Sequence, residues 1–432
     1  MKLKAKIGGG VSRIGINFIS DETLINILLI IFLGVMIYLI FTNSGSKKHL
    51  NESIENFIGE NKPRPIENIS DDEEYLGPIP HLIPEINQST DDDGIEGFVG
   101  NNEKNNKPIQ RDSNGIPTVE FPFKNLFDQN GNKLNIILLA APFREPNHEQ
   151  LFQEYKNQTP KLEFMGISSY SEFPGKLTNP YENRYHEKQN HDYASMVSSW
   201  LNCFRNPNKY INPIYRLPML DLSESDLKDH KNSKGNTSIK KEYDFIYLCL
   251  KDNDQCTPGW QSHNRNWELA KKCLDIMCGK FGLTGVIIGR ENCEMPKSCN
   301  GKIKILPFLK YHDFQKELKK ARFLFVPNIT DASPRVITES LCYDLRLLVN
   351  YNILGGWKYV TPETGEYFSN ENDIVPALDK LLKNMNKYTP RKHFVENYGK
   401  ELSGKKLCHF IKHNYPNVVP AANTLEYVTI TI

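Results

Sequence analysis

The sequence predicts an α/β protein with two Rossmann-like, doubly wound domains facing a cleft, preceded by a transmembrane helix and a flexible stem. Three observations lead there. From about residue 243 onward, short apolar runs alternate with segments of helical periodicity over some 140 residues. That is how a parallel sheet with helices on both faces reads. A second, less regular set of apolar runs lies between residues 118 and 222. Residues 24–41 (LINILLIIFLGVMIYLIF) form an 18-residue apolar run. With its flanking threonines it spans roughly 30 Å as a helix, about the thickness of bilayer hydrocarbon.

The 432 residues divide accordingly: a tail over 1–22, a transmembrane helix over 23–42 and a stem over 43–117, then an N-terminal domain over 118–240, a C-terminal domain over 241–386 and a closing segment over 387–432 that returns to the N-terminal domain. Lys2, Lys4, Lys6 and Arg13 precede the apolar run, which favours a cytosolic N-terminus and a lumenal remainder, or a host or virion membrane for a viral protein. Sequons at Asn51, Asn68, Asn87, Asn157, Asn236 and Asn328 are compatible with that. The stem holds Asp71-Asp72-Glu73-Glu74 and Asp91-Asp92-Asp93 without apolar periodicity, so it cannot bury enough surface to offset chain entropy. A formal net charge of +1 leaves no bulk electrostatic case for nucleic acid. Nine cysteines include no CxxC pair, which argues against structural zinc; Cys293 and Cys299, flanking a turn-rich stretch, are the first guess for a bridge.

Within the folded part, residues 134–141 and 163–168 read as strands, and 196–204 as a helix with Trp200 on its buried side. The polar stretch 228–241 reads as the domain boundary. Beyond it, strands are expected at 243–250, 284–288, 322–326 and 345–349, and helices at 266–281, 313–321, 334–343 and 374–385, with a last helical segment over 390–414. Trp200 and Trp267 read as core residues.

The informative stretch is 325–350, FVPNITDASPRVITESLCYDLRLLVN. A strand ends at Pro327; Ser333 as N-cap and Pro334 at the first helical position then start a helix. Ligands of doubly wound sheets bind at the carboxyl ends of strands, and a helix N-terminus there favours phosphate. Asp331 stands just before the helix and Glu339 inside it, with Arg335 and Glu339 four apart on one face. Gly355 and Gly356 allow close approach of backbone to a ligand, and Lys358 adds a positive charge. Asp252 and Asp254 form a DxD after an apolar strand, the arrangement that holds a divalent cation in metal-dependent transferases.

Asp331-x7-Glu339 resembles the acidic-x7-Glu pattern of retaining GT-B glycosyltransferases of the family 4 kind. The run 241–382 can be laid on that pattern, with Arg265, Gly289, Gly355-Gly356 and Thr364–Phe368 in order. The blocks Gly259-Trp260-Gln261, Arg265-Asn266-Trp267, Asp331–Arg335 and Gly355–Tyr359 also resemble such transferases of algae and large DNA viruses, a likeness that reaches back to Gly166–Tyr170 and Ser223–Asp226. The pattern usually has Glu where this chain has Asp331, and Gly-x-Pro where it has Asp344-Leu345-Arg346.

The resemblance implies transfer of a hexose from a nucleotide-diphosphate sugar to a glycan, protein or lipid acceptor with retention, and no tightly bound metal. Asp331 is the catalytic candidate, contacting the donor sugar; Glu339 binds the ribose and Arg265 the diphosphate. Ser333, Arg335, Gly355, Gly356 and Lys358 complete the donor site. The N-terminal domain supplies the acceptor side, from Arg144, His148, Tyr170 and Glu172; His148 reads as a surface residue. Two other classes stand beside this reading: a metal-dependent GT-A transferase using Asp252 and Asp254, and a non-catalytic membrane-anchored protein that keeps the fold for binding or structure.

Overall fold

The computed structural model describes residues 109–175, 191–231, 239–416 and 425–430. All belong to one unit, Asp91–Ile432. They build two six-stranded sheets.

The first sheet takes β1 (Phe123–Phe127), β2 (Lys133–Leu139), β3 (Glu163–Ile167), β4 (Ser199–Asn202) and β5 (Met219–Asp221). Helix α1 (Pro146–Lys156) lies between β2 and β3. The strand β12 (Thr429–Ile430), last in the chain, pairs with β1 at the edge, giving the order β12-β1-β2-β3-β4-β5. β1 is antiparallel to both neighbours, and β2 to β5 are parallel.

This sheet is not doubly wound, contrary to the expectation. From β2 to β5 the strands follow sequence order in one direction, so among the described residues it has no point where the order reverses. Residues 196–204 also differ from the expected helix, since Ser199–Asn202 is a strand. All four of its residues are buried, which erases the alternation that marks a strand in sequence. The indole of Trp200 fills the space over Gly166 of β3, where a Cβ would lie 2.2 Å from the ring. Its Nε1 donates to Ser168 Oγ at 2.8 Å.

The second sheet is wholly parallel. Its strands are β6 (Tyr243–Leu248), β7 (Gly285–Ile288), β8 (Ile303–Leu306), β9 (Ala321–Val326), β10 (Arg346–Asn350) and β11 (Gly365–Phe368). The order is β8-β7-β6-β9-β10-β11, the doubly wound order, with its reversal between β6 and β9. Helices α2 (Trp260–Asn264) and α3 (Trp267–Gly279) follow β6. Helix α4 (Tyr311–Lys320) follows β8, α5 (Arg335–Cys342) follows β9 and α6 (Ile374–Lys383) follows β11.

Alternating strand residues sort the two faces. Phe245, Tyr247, Phe323, Phe325 and Leu348 pack on α3 and α6. Ile246, Val286, Leu324, Val326 and Leu347 pack on α4 and α5. Each wholly buried aliphatic side chain, such as Ile337 and Leu341 of α5, contributes about 2 kcal/mol. Trp267 is core, as expected.

The expected helix over 390–414 is two, α7 (Pro390–Asn397) and α8 (Lys400–Asn414). Gly399, at φ +101°, breaks it in a conformation that favours glycine. α8 packs through Leu407, Cys408 and Ile411 on the first sheet, beside Leu126, Leu138 and Ile167.

Four further expectations are corrected or fall elsewhere. Residues 109–117, the end of the proposed stem, are folded: Arg111 pairs with Pro117, and Ile116 is buried with Phe123. The bridge is Cys256–Cys293, while Cys299 is a free thiol buried against α3. Asn328 is 3% exposed, so this sequon is closed to modification. The single-pass topology is not supported: among the described residues no helix is long and apolar enough to cross a membrane. Residues 1–108, including the apolar run 23–42 and most of the stem, lie outside the described residues.

Candidate functional site

Where β6 and β9 lie side by side, their following helices leave to opposite faces of the sheet. The connections part there, at the carboxyl ends of the strands, which is where doubly wound sheets seat their ligands. The connection after β6 brings α2 and Arg265; the connection after β9 brings Asn328, Thr330 and Asp331. Arg265 Nη1 pairs with Asp331 Oδ2. Asn328 Nδ2 donates to the same carboxylate oxygen at 3.1 Å. Thr330 Oγ1 donates to Asn264 Oδ1 at 2.9 Å. Asn266, at φ +52° before α3, donates its side-chain amide to the Pro327 carbonyl at 3.0 Å. Two loops far apart in sequence are thus held to each other at the strand-order reversal. The Asp331 side chain retains 10% of its accessible surface and that of Arg265 23%. Asn264, Asn266 and Asn328 were invisible as site residues in a chain so rich in asparagine.

Glu339 sits on α5, eight residues after Asp331. Its Oε1 accepts from Lys228 Nζ at 3.1 Å, and Lys228 also bonds the Tyr311 hydroxyl. Burial works against the Lys228 ammonium, but the Glu339 carboxylate and the Tyr311 oxygen outweigh it and hold its pKa above the ordinary value. Nothing in the sequence marks Lys228, a single lysine at the start of the polar stretch taken as a boundary.

The other donor-site candidates are engaged within the protein. A tight turn, Glu224–Leu227, follows β5 and is closed by a capping box between Ser223 and Asp226. Ser223 Oγ lies 2.6 Å and Ser225 Oγ 3.1 Å from Ser333 Oγ. Ser333 therefore does not cap α5: Pro334 occupies the cap position, and no side chain accepts from the first turn.

Glu224, 2% exposed, takes Arg335 Nη2 at 3.1 Å and Lys124 Nζ at 3.0 Å. Burial works against its charge, but the two cations outweigh it and hold its pKa below the ordinary value. Lys358 Nζ pairs with Asp226 Oδ2 at 2.5 Å, and the Tyr359 hydroxyl donates to Asp226 Oδ1 at 2.6 Å.

The two glycines are required by close packing on their Cα side. A Cβ on Gly355 would lie 1.7 Å from the Ala332 carbonyl oxygen, and one on Gly356, at φ +75°, 2.5 Å from Pro334 Cγ. Gly355 N–H donates to the Asp331 carbonyl at 2.8 Å. Ser333, Arg335, Gly355, Gly356 and Lys358 thus fasten the loop carrying Asp331 to the first half and to the 355–359 segment. Arg335 and Lys358 have the buried carboxylates of Glu224 and Asp226 as partners, as Arg265 has that of Asp331.

Asp252 and Asp254 are not arranged as a metal pair. The Asp252 carboxylate accepts from the backbone N–H groups of Gln261 and Ser262, at 2.6 and 3.0 Å, and from the Ser262 hydroxyl, which fastens α2. The Asp254 side chain is 86% exposed and pairs with Lys251.

On the first half, Arg144 Nη2 donates to the Tyr170 hydroxyl at 2.5 Å and its guanidinium lies 4.7 Å from the Phe121 ring centroid. His148 is buried rather than on the surface; its Nδ1 accepts from the Arg144 N–H at 3.0 Å, and burial lowers its pKa. Glu172 takes a left-handed backbone conformation, φ +56°, which costs a non-glycine residue on the order of 1 kcal/mol. Its carboxylate acts on His263 of α2: burial lowers the imidazole pKa and Glu172 opposes it. This links an acceptor-side candidate to the helix that delivers Arg265.

No family model matches the chain, and no curated protein matches it in sequence. Solved structures similar to it include TarM, at 11% identity and a TM-score of 0.45 over 64% of this chain and 54% of that one. The GtfA/B complex follows at 12% identity and 0.45, over 65% and 57%. A glycosyltransferase from Rickettsia africae stands at 12% and 0.43, over 65% and 77%. The chain spans little more than half the length of the first two. Similarity at that level carries no assignment of activity, which rests below on the residues themselves.

Proposed function

We propose that the chain is a glycosyltransferase that moves a hexose from a nucleotide-diphosphate sugar to a hydroxyl of a glycan, protein or lipid acceptor. The observation that carries this reading is the meeting of Arg265 and Asp331 across the strand-order reversal, with Glu339 one helix further on. A cation for the diphosphate and two carboxylates for sugar and ribose hydroxyls are what such a donor asks of a doubly wound sheet. The retaining course comes from the resemblance of the Asp331-x7-Glu339 spacing and is the finer part of the proposal.

In this reading Arg265 exchanges Asp331 for the donor's diphosphate and stabilises the charge that develops there as the bond from C1 breaks. Asp331 accepts hydrogen bonds from the hexose and holds C1 toward the acceptor. Glu339, whose pair with Lys228 stays partly solvated, accepts from the ribose hydroxyls. The acceptor oxygen attacks C1 and its proton passes to the departing diphosphate. Ser333, Arg335, Gly355, Gly356 and Lys358 set the position of the Asp331 loop. Glu172, with Arg144 and Tyr170, is on the acceptor side.

A hydrolysis screen of the full chain against nucleotide sugars tests this, with Asp331→Ala and Glu339→Ala alongside. The reading requires turnover of one donor class that both substitutions depress. Equal turnover by parent and variants would remove the site, and a folded protein that turns over no donor would favour a non-catalytic role.

A further inference from the structure

Between the two halves, Arg205 is held differently from the cations around it. Lys124, Lys228, Arg265, Arg335 and Lys358 each pair with a carboxylate. Arg205, in the connection after β4, is exposed and has no carboxylate partner among the described residues. Its neighbours are neutral. The guanidinium lies 4.4 Å from the Tyr351 ring centroid and 5.3 Å from that of Trp357. Its Nη2 donates to the Tyr351 carbonyl at 3.1 Å. Tyr351 directly follows β10, meets Tyr367 edge to face at 5.4 Å between centroids, and is 50% exposed.

Aromatic faces steady a guanidinium but do not neutralise it. A stacked guanidinium keeps its planar N–H edge for an acid that can take two hydrogen bonds. Arginine carries five N–H donors, more than the Tyr351 carbonyl can accept. Arg205 is therefore a cation fixed in place, with no acid to give up before it binds one. Its position ties it to the site. Phe204 forms an isolated antiparallel bridge with Gly355, whose N–H donates to the Asp331 carbonyl at 2.8 Å. Arg205 thus stands one residue from a contact with the loop that carries Asp331, and it reaches that loop from the first half. The exposed Tyr351 ring beside it offers an apolar face with a polar edge, which suits a sugar ring.

We propose that Arg205 and Tyr351 form a subsite for an acidic saccharide, one that carries a carboxylate or a phosphate. Under the glycosyltransferase reading, on which the role rests, that saccharide is the acceptor. Arg205 takes the acidic group through paired N–H bonds, and the Tyr351 ring packs on the adjoining sugar. The donor's diphosphate is met from the second half by Arg265, so the cation of the first half falls to the acceptor.

The test applies the full chain to an array of uronate-bearing, phosphate-bearing and neutral glycans of matched length. The parent should retain one acidic class at least fivefold over the neutral glycans, and the two acidic arms show which acid is taken. Arg205→Gln should lose that preference while its circular dichroism stays that of the parent. Lys209→Gln, which removes an exposed lysine from the same connection, should behave as the parent. Retention of no acidic glycan, equal retention of neutral ones, or the same loss in both variants would overturn the proposal. Nucleotide binding is read separately, by titration with UDP, GDP and ADP. A parent that retains acidic glycans and binds no nucleotide keeps the subsite and removes the transferase reading; one that binds a nucleotide and retains no acidic glycan does the reverse.

Discussion

The two sheets have six strands each and are put to different uses. In the second, the order reverses between β6 and β9, and two loops that leave in opposite directions meet through Arg265 and Asp331. In the first, β2 to β5 run in sequence order with no reversal among the described residues, and the loop after β5 is spent on contact. Its acids, Glu224 and Asp226, neutralise Arg335 and Lys358 of the other half. The lesson is that charge near a helix start does not mark a ligand seat by itself. A charge counts for binding when its partner can be exchanged, and of the two carboxylates the Asp331 side chain keeps 10% of its accessible surface against 2% for Glu224.

That contrast can be broken by substitution. The largest effect is expected at Asp331→Ala, which should lower kcat/KM for donor hydrolysis by about 10²–10³-fold while the protein stays folded, as steady-state kinetics and circular dichroism would show. Next is Glu224→Leu, which strands Lys124 and Arg335. It should cost about 3 kcal/mol in denaturant unfolding and leave donor affinity largely intact in whatever fraction is folded. An Arg335 that served the donor rather than the interface would reverse that pattern.

Glu339→Gln should raise the donor KM about tenfold with a smaller change in kcat, since it weakens charge-assisted hydrogen bonds to bound hydroxyls. Glu172→Gln should slow transfer to an acceptor several-fold and leave donor hydrolysis unchanged. Loss of both together would place Glu172 on the donor instead.

The smallest effect is in pH. The folded pKa of Glu224 is held below its ordinary 4.5, so its contribution to stability is complete above that value and is lost as pH falls through the folded pKa. Urea midpoints of the parent should therefore fall below about pH 4.5 more steeply than those of Glu224→Gln.

The second sheet was legible in the sequence because its strands are continuous apolar runs and its helices carry clear periodicity. Trp267, Leu274 and Met277 of α3, for instance, lie on one buried face. The acidic spacing of Asp331 and Glu339 was legible through its resemblance to the acidic-x7-Glu pattern, since both residues lie in one short stretch of sequence. The partners were not, because they come from elsewhere in the chain. Lys228 reaches Glu339 over 111 residues and Glu224 reaches Arg335 over the same span, and no local pattern records either. Ser199–Asn202 was misread because both its faces are buried. The close approach of the Ala332 carbonyl to Gly355 was not legible either, because a glycine pair reads alike whatever comes near it.

The central claim is that the site at the strand-order reversal holds a nucleoside diphosphate through Arg265 and Glu339. Isothermal titration of the full chain with UDP, GDP and ADP tests it most directly, with Arg265→Ala and Glu339→Ala compared against Lys380→Ala, a control in an exposed ion pair with Glu366. One nucleotide should bind the parent and the control alike and bind at least tenfold more weakly to both site variants. Binding of none of the three, or equal binding by all four proteins, would contradict the account.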